Sequence, residues 1–294
     1  MPVDLWNVVL AAGKGRRLTP VTQGIPKQYW SPGRRRSLLD ETFARVAPLA
    51  PPARTTVVVD RTHDRYVQAA RPWPADWLLY QPQDRGTAAG VLLALSPVLD
   101  SARAAIVLLT PSDHGVVDSG SFRAGVRDAA AAVSSGKVDV VLFGVEPSAP
   151  VTDYGWIAPG HRYSWAGNRP LQPVRAFVEK PTLDVARCLF AARALWNTMV
   201  VVARATTLRG LFETHVPHWA DVFAIHRRLP NYRRQSFLAA EYANLPSADF
   251  SRDVLTPARG LAVYSWSQSM GWSDLGTPDR LYQWLDGTRA EISA

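Results

Sequence analysis

The stretch Trp6-Asn7-Val8-Val9-Leu10-Ala11-Ala12-Gly13-Lys14-Gly15-Arg16-Arg17-Leu18 decides the fold. From Trp6 to Ala12 the residues are almost all apolar. They read as a strand covered on both faces, because two-sided burial removes the alternating pattern of a half-exposed strand. Two glycines follow at once. Glycine lets the backbone turn tightly and approach an anion closely, and Lys14, Arg16 and Arg17 add positive charge. The stretch is a candidate phosphate loop; the alternative is a glycine-rich surface turn. It is not a dinucleotide fingerprint, which needs a third glycine where Leu18 stands. Nor is it a Walker loop, which needs Ser or Thr after Gly-Lys.

Outward from this stretch, strands and helices alternate. Helices are predicted over 37–48, 63–70, 87–99 and 121–133, and strands over 55–60, 77–80, 104–110 and 138–145. Pro97 is expected to disturb the last turn of its helix. The alternation predicts an α/β fold, Rossmann-like, with a mixed but mostly parallel sheet and helices on both faces. Ligands of such sheets bind beyond the carboxyl ends of the strands. The second half is less regular. Strands are predicted over 173–180, 199–203 and 261–265, and helices over 182–194, 207–215, 220–228 and 278–285. Pro51-Pro52 and Pro72-Trp73-Pro74 read as turns. The chain is expected to be one domain over 1–294, the part before about residue 150 facing one substrate and 151–294 the other.

Composition narrows the partners. With 294 residues, 47% apolar and 20% charged, the chain can bury a full core without staples. Its one cysteine, Cys188, excludes an internal disulfide and a cysteine metal cluster. The acidic start Met1-Pro2-Val3-Asp4 is no signal peptide, and no apolar run is long enough to span a membrane. A soluble cytoplasmic protein is the expectation. The net charge is +8, yet the basic clusters Arg34-Arg35-Arg36, Arg227-Arg228 and Arg233-Arg234 are small and scattered. A nucleic-acid binder concentrates charge along one face, so a phosphate-rich small substrate is the better partner. Lysine is scarce, and three of the four lysines, Lys14, Lys27 and Lys180, fall in motifs.

Ile25-Pro26-Lys27-Gln28 places a lysine after a stiff proline, a useful point charge for a polyphosphate. At this point a resemblance emerges. Leu10 to Pro20 together with Pro26-Lys27 resembles the signature of the sugar-phosphate nucleotidyltransferases. Among them the chain is most similar to the mannose-1-phosphate guanylyltransferases (GDP-mannose pyrophosphorylases), which continue Pro-Lys-Gln-Phe and then Ser-Leu-Leu. Here the residues are Pro26-Lys27-Gln28-Tyr29 and Ser37-Leu38-Leu39. The resemblance implies the nucleotide-diphospho-sugar transferase fold. It implies that the loop with Gly13 and Gly15 wraps nucleotide phosphates and that Arg17 and Lys27 neutralise them.

Further motifs follow in the family's order. Gln81-Pro82-Gln83-Asp84-Arg85-Gly86-Thr87-Ala88 resembles Gln-Pro…Arg-Asn-Thr-Ala, with glycine at 86 in place of asparagine. Gln81, Arg85 and Thr87 could read a base edge; alternatively the stretch is a polar turn capping the next helix. Asp113, in Pro111-Ser112-Asp113-His114, matches the metal-binding aspartate, and His114 is taken as structural because magnesium prefers oxygen. Phe143-Gly144-Val145-Glu146-Pro147 and Asp153-Tyr154-Gly155-Trp156-Ile157 resemble Phe-Gly-Ile-x-Pro and Gly-Tyr-Gly-Tyr-Ile, with Asp153 replacing a glycine and Gly155 near the sugar. In Phe177-Val178-Glu179-Lys180-Pro181 the resemblance gives Glu179 to sugar hydroxyls and Lys180 to the sugar phosphate. Leu195-Trp196-Asn197-Thr198-Met199 resembles Trp-Asn-Ser-Gly-Met without its glycine, and Asn197 is a candidate sugar contact. Asp249 matches the central aspartate of Ser-Ile-Asp-Tyr-Ala-Val-Met-Glu; the final glutamate is missing, and Asp253 either substitutes or belongs to a capped helix. Gly271-Trp272-Ser273-Asp274-Leu275-Gly276 resembles Trp-x-Asp-Val-Gly, which makes Asp274 the second magnesium ligand.

The resemblance therefore implies transfer of a nucleoside monophosphate from GTP to mannose 1-phosphate, with Mg²⁺ on Asp113 and Asp274. Arg17, Lys27, Asp113, Lys180 and Asp274 would carry the chemistry. Other hexose-1-phosphate thymidylyl-, uridylyl- or adenylyltransferases share these motifs, and a non-catalytic nucleotide-sugar-binding regulator is the alternative of a different class. Family members are often homodimers. Some carry a C-terminal β-helix or cupin domain, which is not expected within these residues.

Overall fold

The computed structural model describes residues 3–32, 36–69, 77–161, 164–166 and 169–292. Arg34, Arg35, the end of the predicted helix 63–70 and the turn Pro72-Trp73-Pro74 lie outside the described residues. The strands are β1 (Leu5–Ala11), β2 (Thr55–Asp60), β3 (Leu78–Gln81), β4 (Ile106–Pro111), β5 (Val140–Val145), β6 (Gly155–Pro159), β7 (Ser164–Ala166), β8 (Arg169–Glu179), β9 (Leu195–Arg204) and β10 (Ala262–Trp266). The helices are α1 (Thr19–Thr22), α2 (Leu38–Val46), α3 (Asp64–Ala69), α4 (Thr87–Ser101), α5 (Ser119–Ser134), α6 (Leu183–Ala191), α7 (Ala205–His215), α8 (Pro217–Arg228), α9 (Asn231–Asn244) and α10 (Pro278–Ile292). A π-helical turn, Phe250–Leu255, precedes β10. No helix among the described residues is long and apolar enough to cross a membrane.

The sheet order is β3-β2-β1-β4-β9-β5-β10-β8-β6, with β7 on β8 and a further pairing of β6 with β9. Four pairings are parallel: β1 with β2, β1 with β4, β2 with β3, and β5 with β10. The others are antiparallel, so the expectation of a mostly parallel sheet is corrected to a mixed one. The reversals come from β9, which inserts antiparallel between β4 and β5, and from β8, which is antiparallel to β10, β6 and β7. An apolar run such as Val200-Val201-Val202-Ala203 records burial on two faces but not direction, which explains why the pattern misled. Because β6 also touches β9, the strands β9, β5, β10, β8 and β6 close on themselves.

Helices do cover both faces. One core layer joins the sheet to α4, α7, α8, α9 and the π-turn, through Leu92, Leu95, Phe212, Trp219, Phe223, Tyr242 and Phe250. The other packs α2 and α5 through Leu39, Val46, Phe122, Val126 and Phe143. Local chemistry explains individual boundaries. Helix α2 starts where Ser37 and Asp40 cap each other reciprocally. Helix α4 runs past Pro97 to Ser101. The proline removes one backbone donor but does not end the helix, because Leu95, Val98 and Leu99 around it are buried and hold the turn. In helix α9 only Leu238 and Tyr242 are buried, so its residue pattern holds little sign of it.

Candidate active site

The cleft lies where the carboxyl ends of β1, β3 and β4 meet the start of β6, the end of β8 and the start of β9. The glycine loop leaves β1 and folds over Lys27. Gln28, fully buried, fixes the loop's base by donating from Nε2 to the carbonyls of Ala11 (2.7 Å) and Gly13 (3.0 Å). Lys27 is 4% exposed. Its Nζ lies 3.1 Å from Asp113 Oδ2 and donates to the backbone carbonyl of Asp274. A buried ammonium needs such partners, since an unpaired buried charge is strongly destabilising. The two aspartates are brought together by a backbone bridge beside them: Gly115 N donates to Ser273 O (2.9 Å) and Ser273 N to Gly115 O (3.0 Å). Arg45 of α2 supports the same corner through the His114 carbonyl, at 3.3 Å.

Asp274 is held by three groups that sequence reasoning did not assign to the site. Tyr154 Oη donates to its Oδ1 (3.0 Å), Gly276 N donates to the same oxygen (3.0 Å), and Arg280 Nη1 reaches both oxygens (3.1 and 3.0 Å). Tyr154 belongs to the motif Asp153-Tyr154-Gly155-Trp156-Ile157, whereas Arg280 lies in α10 with no motif to mark it. The Trp272 ring packs edge-on against His114, with centroids 5.4 Å apart.

Beside this corner is a cavity of about 270 Å³, lined by Gly13, Gln81, Gly86, Thr87, Asp113 and Met199 among others. Gln81 is buried and donates to Gln83 O at 2.9 Å. Thr87 lines the cavity, but its hydroxyl donates to Asp249 Oδ2 (3.2 Å) and accepts from Phe250 N (2.8 Å). Arg85 is not among the lining residues; its guanidinium donates to the carbonyls of Tyr242 and Ala243 at the end of α9. Gly86 has φ +85°, and a Cβ there would lie 2.3 Å from Ala248 O. Asparagine cannot occupy this backbone position, so the glycine is imposed by the approach of residue 248.

On the other side of the cleft, Gly155 pairs with Glu179 across β6 and β8. A Cβ on Gly155 would lie 2.5 Å from Glu179 Oε2 and 3.3 Å from Asn197 Cβ. Glycine thus makes room for the carboxylate and places Asn197 beside it. Lys180 is 66% exposed in its side chain, sits at φ +45°, and reaches Glu179 Oε1 at 3.6 Å. Asn197 is buried, and its Oδ1 accepts from Met199 N at 3.2 Å. Met199 stands where Trp-Asn-Ser-Gly has its glycine, and its own backbone is left-handed, at φ +58°. That conformation costs a side-chain-bearing residue roughly 1–2 kcal/mol. Its sulfur accepts from Ser251 Oγ at 3.1 Å. Asp249 and Asp253 cap the π-turn: Asp249 Oδ1 accepts from Arg252 N (2.9 Å), and Asp253 Oδ2 accepts from Asp249 N (2.7 Å). Asp253 also pairs with Arg252 at 2.7 Å. Both aspartates therefore have helix-capping work of their own.

The nucleotidyl transferase family model matches residues 6–290. The chain belongs to the nucleotidyl transferase family. Xanthan biosynthesis protein XanB of Xanthomonas campestris pv. campestris (strain B100) is 29% identical over 284 residues, 93% of this chain and 58% of its own length. Mannose-1-phosphate guanylyltransferase of Sinorhizobium fredii (strain NBRC 101917 / NGR234) is 28% identical over 289 residues, 94% of this chain and 54% of its own. A solved structure described as mannose-1-phosphate geranyltransferase from Thermus thermophilus superposes with a TM-score of 0.79 at 29% identity, over 93% of this chain and 77% of that one. The chain thus spans little more than half the length of these two curated relatives.

For this nucleotidyl transferase the electrostatics of the two sides differ. Burial would raise the Asp113 carboxyl, but Lys27 and the surrounding positive field hold it below the ordinary carboxylate value. Asp274 is depressed in the same way: burial opposes it, and His114, Arg280, the Gly276 N–H and Lys27 prevail. Burial pushes His114 down to about 4, so near neutral pH it is uncharged and Lys27 and Arg280 are the effective cations. Glu179 moves the other way. Burial raises it and Asp249 adds to the rise, against Lys180 and Arg252. No set of three or more His, Cys, Asp or Glu side chains is gathered as a metal site among the described residues. Magnesium does not need one: one or two carboxylates and the substrate's phosphates suffice, and the part-exposed Asp113 and nearby Asp274 offer the hard oxygens it prefers.

Proposed function

We propose that the chain transfers a nucleoside monophosphate from GTP to mannose 1-phosphate, giving GDP-mannose and pyrophosphate. The observation that carries this reading is Lys27. It lies beneath the glycine loop, pairs with the Asp113 carboxylate and donates to the Asp274 backbone carbonyl, and Asp113 lines the adjoining cavity of about 270 Å³. The name of the Sinorhizobium fredii relative, mannose-1-phosphate guanylyltransferase, supports the same substrate pair. A phosphate oxygen of the sugar 1-phosphate attacks the α-phosphorus in line, the bond to the bridging oxygen breaks, and pyrophosphate leaves with that electron pair. The nucleophile is already an anion near neutral pH, so the site needs no general base. What it must supply is relief of repulsion between anions and a fixed approach. Lys27 and Arg17 face the triphosphate and Lys180 the sugar phosphate; Glu179 and Asn197 hold sugar hydroxyls. Asp113 and Asp274 would hold Mg²⁺, which when bound offsets charge on the triphosphate and leaving group. Residues up to about 150 then serve mainly the nucleotide, and those from 151 mainly the sugar.

A second reading keeps the chemistry and changes the base or sugar. Gly86 and Met199 favour it, because both line the cavity and both depart from the guanylyltransferase pattern. The test is pyrophosphate release with Mg²⁺ across GTP, ATP, UTP and dTTP against mannose and glucose 1-phosphate. GTP with mannose 1-phosphate is expected to be fastest. Preference for another pair would move the assignment to a sister activity. No release from any pair, with tight nucleotide-sugar binding, would overturn the catalytic reading.

A further inference from the structure

Residue 153 is aspartate where the related motif has glycine, and the structure gives that aspartate two partners. Its Oδ2 lies 3.0 Å from Arg280 Nη2 and 3.3 Å from Arg17 Nη1. Arg280 is rooted on the inner side. Its Nη1 holds both oxygens of Asp274, and its guanidinium lies 4.5 Å from the Tyr154 ring centroid. Charges therefore alternate outward along Asp274, Arg280, Asp153 and Arg17. The last three grow steadily more exposed, at 19%, 46% and 61% of the side chain. The inner end is fixed by several bonds, and the outer end, Arg17, by one pair in contact with water. That outer guanidinium is the one in the phosphate loop.

We propose that Asp153 is an internal competitor for the nucleotide's phosphates and so sets the affinity for phosphate-bearing ligands. The proposal rests on the reading above, in which Arg17 faces the triphosphate. To a guanidinium, a carboxylate oxygen and a phosphate oxygen are equivalent charged acceptors. An exposed ion pair is weak, so an arriving triphosphate displaces the carboxylate from Arg17 readily. Arg280 is not drawn off with it, because Asp274 retains it. Asp153 then acts in both directions: it weakens binding of the triphosphate, and it reclaims Arg17 as pyrophosphate departs. A chain with glycine at this position would have no such competitor. Asp153 is on this view a positioning residue that acts through Arg17 and need not touch substrate.

The test is equilibrium binding of GTP and of pyrophosphate to the full chain, followed by calorimetry. Asp153→Asn is expected to tighten both by about three- to fivefold, the scale of an exposed ion pair. The gain should shrink as salt is raised, because water-exposed charges are screened. In an Arg17→Ala background, Asp153→Asn should change affinity by less than about twofold. Asp153→Gly should reproduce the asparagine result, and thermal melting checks that each variant is folded. Unchanged or weaker binding in both Asp153 variants would overturn the proposal, as would undiminished tightening without Arg17. Failure of the catalytic reading is seen separately, as absence of turnover in the unaltered chain. Pyrophosphate binding still tests Asp153 in that case.

Discussion

Lys27 and Lys180 stand on opposite sides of one cleft and are held in opposite ways. Lys27 is 4% exposed and touches two aspartates, whereas Lys180 leaves 66% of its side chain in water and reaches one carboxylate at 3.6 Å. Around Lys27 the anions are depressed by paired cations and fixed by backbone bonds. Around Glu179 the carboxylate is raised by burial, and its cations, Lys180 and Arg252, are exposed. The first side is preorganised before any ligand arrives. The second keeps its cations in water, at 66% and 63% side-chain exposure. Electrostatic catalysis favours the first arrangement for groups that act in the transition state. The second suits recognition, where a ligand's own phosphate completes the pairing. Changes on the Lys27 side should therefore appear in kcat, and changes on the Glu179 side in KM for the sugar phosphate.

The largest expected effect is on the preorganised side. Asp113→Asn keeps the shape of the side chain and removes the charge that Lys27 faces. It is expected to lower kcat by about 10²- to 10³-fold, the loss typical of one well-placed electrostatic group. KM should move much less. The melting temperature should fall, because the buried Lys27 loses its charged partner, but the protein should remain folded, because the asparagine oxygen and the Asp274 carbonyl still accept from Lys27 and Gln28 still holds the loop. Steady-state kinetics beside a melting curve checks both parts. Near-normal kcat would remove Asp113 from the chemistry and erase the distinction between the two sides.

Gly155→Ala tests the other side and should have a smaller effect. The added methyl would lie 2.5 Å from Glu179 Oε2, the mobile end of a side chain, and 3.3 Å from Asn197 Cβ. The carboxylate can yield, so the fold should lose little, at most about 1–3 kcal/mol for overpacking. Glu179 would leave the position that the proposed function gives it for holding sugar hydroxyls. KM for the sugar phosphate is expected to rise by about tenfold, with KM for the nucleotide nearly unchanged. Loss of stability and activity in parallel would mean that Gly155 serves packing alone.

The same contrast explains what the sequence could convey. The Lys27 side is nearly contiguous in sequence: strand, glycine loop and Lys27 follow one another within a few dozen residues, and Gln81 at the end of β3 and Asp113 just after β4 join them. Both the alternation of elements and the motif reading drew attention to these segments. The mixed sheet was not legible, because apolar strands such as β9 do not reveal their direction. Arg280 was invisible for a different reason. It lies beyond the last motif, and only the fold of α10 carries it to Asp274. For Arg85 and Thr87 the sequence left two readings open, a base contact or a polar turn, and in the structure their polar atoms bond the end of α9 and the start of the π-turn, while Thr87 also lines the cavity. Side chains in a polar turn can serve a ligand or a helix terminus with the same chemistry, and residue type does not distinguish the two. Met199 shows the converse. The missing glycine was visible in the sequence, but not that methionine would adopt a left-handed backbone and line the cavity.

The smallest expected effect is a separation in pH. Glu179 is raised from 4.5 by burial, while Asp113 and Asp274 are depressed from 3.8 by their cations. As pH falls, Glu179 should take up a proton first and Asp113 and Asp274 last. KM for the sugar phosphate should therefore begin to rise above pH 4.5, in a range where KM for the nucleotide is still flat. The stability terms have opposite signs. A depressed aspartate contributes stability above its unfolded value and loses it as pH falls through the folded one. A raised glutamate favours the folded state when protonated, and that contribution is lost as pH rises through its folded value. Glu179→Gln should thus melt higher than the parent near neutral pH, and the two should converge on acidification. Convergence together with a flat sugar-phosphate KM in the glutamine variant would assign the early limb to Glu179. If both Michaelis constants of the parent instead rose together, the two sides of the cleft would be one electrostatic unit, and the contrast between Lys27 and Lys180 would concern exposure alone.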